Sequence, residues 1–309
     1  MVEANELFSQ AVEFPDPAAH DRYHTLVGID DAKRRLTAEA ALLLDPSSLE
    51  KWCREHHSEF PIGASEVSLR TPLVILAGDV GTGKTELAET FGDAVARSMK
   101  IEITLFSLSL SARGKGAVGE MTSLLTSAFN EVRASAAKAS NSKGQISRGL
   151  VLLIDEADAL AQSRELAQMH HEDRAGVNAL IRGLDGLRNE RLPVLTVMCT
   201  NRLDALDPAV TRRAAAVFEF RRPDEEQRRV LFDRLLDGFG ISASDIRKLV
   251  AATGEIDGRP FGATYSDIRQ RLVPGAIVQA FADGVPLTGA RLVAAAKELQ
   301  PTRPFGTTE

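Results

Sequence analysis

The chain contains a glycine-rich loop that ends in a lysine and a threonine, Gly78-Asp79-Val80-Gly81-Thr82-Gly83-Lys84-Thr85. The loop follows an apolar run at 73–77 that predicts a β-strand. Glycines in such a loop let backbone N–H groups turn toward phosphate oxygens, and the next helix points its positive N-terminal end at them. We expect Lys84 to reach the β- and γ-phosphates and the hydroxyl of Thr85 to ligate Mg²⁺. The spacing predicts a site for a nucleoside triphosphate; a plain glycine turn between strand and helix is the alternative.

Two adjacent carboxylates, Asp155 and Glu156, follow a second apolar run at 150–154. A strand that ends there places Asp155 at the carboxyl edge of a sheet, where it can complete the coordination of Mg²⁺. Glu156, one residue further, is the candidate that positions and polarises the water attacking the γ-phosphate. The alternative is that both acids only cap the next helix. The phosphate loop upstream favours the metal and water roles.

An amide side chain, Asn201, stands at the end of the next apolar run, 194–199. A carboxamide there can hydrogen-bond both the attacking water and the γ-phosphate. Asparagine is also common in plain turns. Its place in the chain after Asp155 and Glu156 is what favours the catalytic role.

The composition is that of an ordinary protein with room for one large and one small domain: 309 residues, 44% hydrophobic and 26% charged. A net charge of −6 gives no basic footprint for nucleic acid. The first residues lack the features of a secretory signal, and no apolar run approaches the roughly 20 residues that span a bilayer. The lack of such a run predicts no membrane partner. Cys53 and Cys199 have no CxxC or zinc spacing, so we expect a reducing cytoplasm.

Strand-like and helix-like runs alternate between residues 73 and 220, whereas only helix-like runs follow Pro223. This order predicts an α/β fold, with a five-stranded parallel sheet flanked by helices and followed by a small all-helical lid domain. The predicted boundaries are a flexible N-terminal arm at 1–22, a large α/β domain at 23–222 and the lid at 223–309. The pair Arg221-Arg222 and the charges after it are expected on a solvated, internally paired helix face.

These linked motifs resemble the AAA+ ATPases, and within them the AAA subgroup. Three further segments carry the resemblance: Val27-Gly28-Ile29-Asp30, Asn178-Ala179-Leu180-Ile181-Arg182-Gly183-Leu184-Asp185-Gly186-Leu187 and Asp207-Pro208-Ala209-Val210-Thr211-Arg212-Arg213. The resemblance runs from about residue 25 to about residue 285. It implies ATP and Mg²⁺ as cofactors, and it implies that the backbone of Gly28 and Ile29 holds the adenine.

The resemblance also implies an arginine finger that reaches the ATP of the neighbouring subunit. Arg212 and Arg213 are adjacent candidates, and only one need reach, which leaves the other to pair with an acid. Two exposed arginines at a helix end also occur as solvated partners of the helix dipole. A finger in trans implies a homo-oligomeric ring, a hexamer in this family. A lid arginine near the γ-phosphate is implied as well, and Arg269 and Arg271 both qualify.

Within AAA+, the chain resembles the pachytene checkpoint ATPases, which remodel HORMA-domain proteins. Arg174, Val177-Asn178-Ala179-Leu180 and Arg213-Ala214 carry this likeness. It implies a HORMA-domain protein as partner and, from the bacterial relatives, an off-switch role in anti-phage signalling. The segment 114–120 stands where relatives place the loop that lines the pore, with Ala117 and Val118 instead of an aromatic. The alternatives are a generic AAA+ unfoldase or remodeller, a nucleic-acid-dependent motor and a non-hydrolysing scaffold.

Overall fold

Six strands form one sheet in the computed structural model, which describes residues 7–57, 59–110, 120–139, 146–160 and 171–305 and gives only the backbone at 109, 160 and 171–174. The strands are β1 Gln10–Phe14, β2 Leu73–Gly78, β3 Glu102–Ser109, β4 Arg148–Asp155, β5 Val194–Thr200 and β6 Ala216–Phe220, in the spatial order β1-β3-β4-β5-β2-β6. Strands β3, β4, β5 and β2 pair in parallel. The predicted α/β class is therefore confirmed, and the sheet has one strand more than expected.

The central strands β2, β4 and β5 are buried along almost their whole length. Strands that are covered on both faces consist of continuous apolar runs, and for this reason these three strands could be predicted from the sequence. The register pairs Ala77 with Thr200 and Ile154 with Met198. Parallel pairing in this register brings the carboxyl ends of the three strands to one edge of the sheet.

Helices connect and cover the strands. The α-helices of the described residues are α1 Pro17–Thr25, α2 Asp30–Leu44, α3 Ser47–His56, α4 Ile62–Ser68, α5 Lys84–Met99, α6 Glu120–Ala136, α7 His171–Glu190, α8 Pro208–Thr211, α9 Glu225–Leu235, α10 Ala243–Ala252, α11 Val273–Ala282 and α12 Gly289–Glu298. Short 3₁₀ turns lie at Ala157–Leu160 and Leu203–Ala205, and a π-helical stretch lies at Asp267–Leu272. Within the described part of the chain, no helix is long and apolar enough to cross a bilayer.

The prediction of a flexible arm over residues 1–22 is wrong for the part that the structure describes, residues 7–22. Strand β1 pairs antiparallel with β3, and Phe14 is buried against Gly92 of α5, where a Cβ would lie 2.5 Å from its ring. The carboxylate of Asp93 accepts hydrogen bonds from the backbone N–H of Asp16 and from Nδ1 of His20, both at 2.9 Å. The segment is fixed by partners 73 to 97 residues away in the sequence, which no local pattern displays.

The chain divides into two compact units. The first comprises Met1–Thr25, Asp31–Ala77 and Thr85–Glu219, and the second comprises Leu26–Asp30, Gly78–Lys84 and Phe220–Glu309. These units differ from the predicted division at 222 in three short segments, because Leu26–Asp30, Gly78–Lys84 and residues 220–222 all belong to the second unit. Thr264, Ser266 and Arg222, for example, all contact the loop.

The core of the first unit lies between the sheet and the helices α6 and α7. Leu125, Phe129, Leu180 and Leu184 are fully or almost fully buried there, against strand residues such as Leu152. Burial of large apolar side chains of this kind contributes roughly 1.5–3 kcal/mol for each residue. The resulting packing holds the ends of β4 and β5 in fixed positions, which the site requires.

The second unit has its own core, formed by helices α9 to α12 around Phe232, Leu249, Ile268 and Leu292. Three of these helices begin at a side chain that caps the N-terminus. Asp224 and Gln227 form a capping box on α9, Ser242 caps α10 and Thr288 caps α12. Capping satisfies backbone N–H groups that have no partner inside a helix, and each cap stabilises by about 1 kcal/mol.

Candidate nucleotide-binding site

The phosphate loop connects β2 to α5, and its own side chains brace it. The backbone carbonyl of Asp79 accepts hydrogen bonds from the hydroxyl of Thr82 at 2.7 Å and from Nζ of Lys84 at 2.8 Å. Both donors are almost fully buried, with 2% and 6% of their surface exposed. The ammonium of Lys84 is thus held inside the loop.

Gly81 shows why the loop needs glycine. Its φ is +74°, in the left-handed region that side chains rarely adopt, and a Cβ would lie 2.7 Å from the hydroxyl oxygen of Thr264. Its carbonyl also accepts a hydrogen bond from the backbone N–H of Ser266 at 3.1 Å. The loop is therefore packed closely against the segment 264–266 within the second unit.

The segment predicted to hold adenine lies in the same unit. Gly28 has φ +76°, and a Cβ there would lie 2.5 Å from the hydroxyl of Tyr265. The carbonyl of Gly28 accepts a hydrogen bond from the side-chain amide of Gln227 at 2.9 Å. Burial, with smaller contributions from Asp224 and Asp30, raises the pKa of the Tyr265 hydroxyl, which stays protonated at neutral pH. Ile29 follows as a half-buried neighbour.

Thr85 and Asp155 lie together in the first unit. The hydroxyl of Thr85, one residue after Lys84, donates to Oδ1 of Asp155 at 3.4 Å. Burial raises the pKa of the Asp155 carboxyl, and hydrogen bonds from the N–H of Glu156 and from Thr85 offset only part of that effect. A hydroxyl and a carboxylate are the hard oxygen ligands that Mg²⁺ prefers, with its other positions filled by phosphate and water. These two residues fit the predicted metal site.

Glu156 follows the carboxyl end of β4 and has an unusual backbone conformation. Its φ is +53°, and its N–H donates to Oδ1 of Asp155 at 2.8 Å. A side chain in the left-handed region costs of order 1–3 kcal/mol and persists where the surroundings enforce it, often at functional sites. The Glu156 side chain is exposed, while Asp155 is half-buried at the end of β4.

Asp158 ties the carboxyl end of β4 to that of β5. Its Oδ1 accepts hydrogen bonds from the hydroxyl of Thr200 and from the backbone N–H of Asn201, both at 3.1 Å. The Thr200 hydroxyl also accepts a hydrogen bond from the N–H of Arg202 at 3.0 Å. These bonds hold Asn201 beside the turn that carries Glu156. Asp158 was not among the predicted residues, although the sequence shows an acid two residues after Glu156.

The two finger candidates have different surroundings. Arg213 donates two hydrogen bonds to the carboxylate of Asp185, at 3.2 and 3.3 Å, and a third to the carbonyl of Ala209 at 2.9 Å. Arg212 is exposed, and its side chain has no hydrogen-bond or ion-pair partner among the residues that the structure describes. The acid partner expected for one of the two arginines is thus Asp185, and the arginine it holds is Arg213.

The two lid candidates also differ. Arg271 is exposed and donates to Oδ1 of Asp267 at 2.9 Å and to the carbonyl of Gln300 at 3.2 Å. Arg269 is half-buried on the π-helical stretch Asp267–Leu272. Stretches of π-helix often occur at functional sites. Arg269 and Arg271 both stay candidates for the predicted lid arginine. The predicted pore loop at 114–120 lies outside the described residues except for Glu120, and the side chain of Arg174 also lies outside them.

Comparison with known proteins agrees with this geometry. Residues 74–222 match the AAA family, the ATPase family associated with various cellular activities. CD-NTase-associated protein 6 of Escherichia coli strain MS 115-1 is 51% identical over 277 residues, which cover 90% of this chain and 89% of that protein. The chain belongs to the AAA family of ATPases. The predicted membership of the AAA subgroup is confirmed.

Two solved structures match this chain over almost its whole length. A chain in the structure of an E. coli MS115-1 HORMA:CdnC:Trip13 complex superposes with a TM-score of 0.90 at 47% identity, covering 98% of both chains. The structure of Rhizobiales Trip13 superposes with a TM-score of 0.74 at 42% identity, covering 96% of this chain and all of that one. The residues that match the AAA family, 74–222, contain the phosphate loop, Asp155, Glu156, Asn201 and both finger candidates.

Proposed function

We propose that this chain is a Mg²⁺-dependent ATPase that assembles into a hexameric ring and uses ATP hydrolysis to remodel another protein. The observation that carries the ATPase proposal is the placement of Thr85, Asp155, Glu156 and Asn201 at one edge of the sheet. AAA family membership supports the nucleotide as the ligand of the phosphate loop. The exposed Arg212 supports a site completed by a neighbouring subunit.

Each residue has a task in hydrolysis. Lys84 and the loop N–H groups bind the β- and γ-phosphates, and Thr85 with Asp155 would hold the metal, which when bound neutralises phosphate charge. Glu156 orients the water and takes its proton as the water oxygen bonds to the γ-phosphorus and the bond to the β–γ bridging oxygen breaks. Asn201 hydrogen-bonds that water and the γ-phosphate. Arg212 of the adjacent subunit would stabilise charge in the transition state.

We further propose that the substrate is a HORMA-domain protein bound to its peptide, and that its disassembly turns off an anti-phage signal. The support is the likeness to a chain of a HORMA:CdnC:Trip13 complex over 98% of both chains, together with 51% identity to a CD-NTase-associated protein. A cytoplasmic setting fits two cysteines that are buried as free thiols, Cys53 and Cys199.

The test is a trapping experiment with the full-length Glu156→Gln variant. The substitution keeps the groups that bind nucleotide and removes the carboxylate that activates water, so we expect ATP to be retained and turnover to fall at least about 100-fold. Together with ATP, and not with ADP, the variant should co-elute with a HORMA-domain protein from the same genome in size-exclusion chromatography. Glu66→Gln, which removes the same charge from an exposed position on α4, is the control and should behave like wild type.

The outcomes separate the alternatives. ATP-dependent capture of the HORMA protein supports the proposal, and capture of other proteins in its place indicates a generic AAA+ remodeller. Salt-sensitive binding of DNA or RNA that stimulates hydrolysis indicates a nucleic-acid motor. Wild-type protein that binds ATP without releasing phosphate is a scaffold, and fast hydrolysis by Glu156→Gln contradicts the role of Glu156.

A further inference from the structure

The phosphate loop contains an acidic residue, Asp79, directly after its first glycine. A carboxylate in a loop that binds phosphates repels its ligand, since two like charges a few ångströms apart interact by several kcal/mol where the surroundings are only partly solvated. The side chain is largely withdrawn from solvent, with 18% of its surface exposed. Water therefore screens this charge poorly, and a loop of this composition needs another group to compensate it.

Arg222 provides that compensation. Its Nε donates to Oδ2 of Asp79 at 2.7 Å, and its Nη2 lies 2.6 Å from the same oxygen. Only 13% of the Arg222 side chain is exposed. The position just after β6 had been expected on a solvated helix face, and that expectation is wrong for Arg222 because a partner 143 residues away in the sequence holds it.

The remaining N–H groups of Arg222 connect the loop to two other segments of the second unit. Nη1 donates to the carbonyl of Gly262 at 2.6 Å, and Nη2 donates to the carbonyl of Thr302 at 2.7 Å. The guanidinium also lies 5.1 Å from the centre of the Phe261 ring. A planar fork with five donors can serve these partners together, which the single ammonium of a lysine cannot do.

Asp79 is in turn hydrogen-bonded to the residues that would bind phosphate. Its Oδ1 accepts a hydrogen bond from the N–H of Val80 at 2.8 Å, and its backbone carbonyl is the acceptor for both Thr82 and Lys84. The backbone N–H of Phe305 approaches Oδ1 at 3.3 Å from the C-terminal side. Fixing the Asp79 side chain therefore fixes the peptide that positions Lys84.

We propose that Arg222 is a positioning residue for nucleotide binding, which neutralises Asp79 and braces the phosphate loop against the segments at 261–262 and 302–305. The inference rests on the proposed function, that this loop binds ATP. It makes the affinity for ATP depend on a charge pair within the second unit, and on C-terminal residues outside the motifs that the sequence displays.

The test measures the binding of a fluorescent ATP analogue to full-length variants by titration. In Arg222→Met the carboxylate of Asp79 is uncompensated, so we expect affinity to fall about 10- to 100-fold. In Asp79→Asn the cation is uncompensated while the Oδ1 acceptor remains, so we expect affinity to rise about threefold. The double variant should bind more tightly than Arg222→Met, because the uncompensated charge is gone, and less tightly than wild type, because the fork is lost as well.

Two further variants separate charge from bracing. Arg222→Lys keeps the charge and loses the fork, so its affinity should lie between those of wild type and Arg222→Met. Arg229→Met is the matched control, since Arg229 is paired with Glu226 and Asp233 on the exposed face of α9. Its affinity for the analogue should equal that of wild type.

A double variant that binds no better than Arg222→Met overturns the inference, because a purely structural arginine would not be rescued by removing a charge. Should Arg222→Met fail to fold, Asp79→Asn decides alone: tighter binding supports the inference, and equal or weaker binding overturns it. Arg222→Met that binds like wild type overturns the inference and leaves the proposed function intact. Wild-type protein that does not bind the analogue overturns both.

Discussion

The guanidinium of Arg213 is held by the carboxylate of Asp185 through two hydrogen bonds of 3.2 and 3.3 Å. The pairing links the end of α8 to α7, and it engages one of two adjacent arginines within its own subunit. Arg212, beside it, is exposed. The structure thus distinguishes two residues that the sequence alone left equivalent.

The first prediction concerns these two arginines. Arg212→Ala should lower kcat by about 10³-fold or more, the typical effect of losing a finger in trans, and leave the free energy of unfolding unchanged. Arg213→Ala should lower the free energy of unfolding by about 1 kcal/mol, since its pair with Asp185 is partly exposed. Phosphate release and urea denaturation on both variants check this. A kcat loss confined to Arg213→Ala, with Arg212→Ala fully active, would reverse the assignment.

The second prediction concerns Asp158, which holds the backbone of Asn201. Asp158→Ala releases Thr200 and Asn201, so we expect kcat to fall about 10- to 100-fold with little change in KM for ATP, because the loss of positioning acts in the transition state. Asp158→Asn keeps an oxygen acceptor and should recover most of the activity. Steady-state kinetics of both variants are the measurement, and an asparagine variant as inactive as the alanine variant would argue against a positioning role.

The third prediction concerns the backbone of the phosphate loop. Gly81→Ala forces a left-handed alanine whose Cβ meets the Thr264 hydroxyl, so nucleotide binding should fall at least about tenfold and stability by about 1–2 kcal/mol. Gly63→Ala is the matched control on α4, where a Cβ has no neighbour within 4 Å, and there we expect no loss of binding and slightly higher stability. Equal binding by both variants would contradict the close packing of Gly81.

Features formed by residues that are neighbours in the sequence could be predicted from it, whereas contacts between residues far apart in the sequence could not. The loop at 78–85, the apolar strands β2, β4 and β5 and the polar residues that follow β4 and β5 are local patterns, and the register of the three strands brings their carboxyl ends to one sheet edge. The N-terminal segment is not local: Phe14 packs on Gly92, and β1 pairs with β3. Arg222 and Asp185 likewise acquire their roles from distant partners, and a single sequence shows no trace of such pairs.

The fourth prediction concerns the attachment of that N-terminal segment. Burial alone would raise the pKa of Asp93, but hydrogen bonds from Arg97, His20 and the backbone N–H of Asp16 outweigh it and lower the pKa below its usual value. A depressed pKa in the folded state means stability that is present above the unfolded pKa, about 4, and is lost as the pH falls through the folded value. Asp93→Asn should therefore cost about 2 kcal/mol at pH 7.

Denaturant unfolding between pH 7 and pH 3 checks this. The difference between wild type and Asp93→Asn should shrink once the pH falls below about 4, as the wild-type carboxyl becomes protonated. Asp283→Asn, which removes a carboxylate from an exposed pair with Arg291, is the control and should cost less than about 1 kcal/mol. A difference that stays constant over the whole pH range would show that the charge of Asp93 does not contribute.

We propose that ATP is hydrolysed between subunits, with Arg212 of one subunit acting on nucleotide held by Lys84 of the next. Mixing two inactive full-length variants, Arg212→Ala and Lys84→Ala, tests it most directly. In mixed rings some interfaces combine an intact phosphate loop with an intact finger, so phosphate release should reappear and reach its maximum near equal amounts. Activity that remains absent at every ratio, in rings shown to contain both variants, would contradict a shared site.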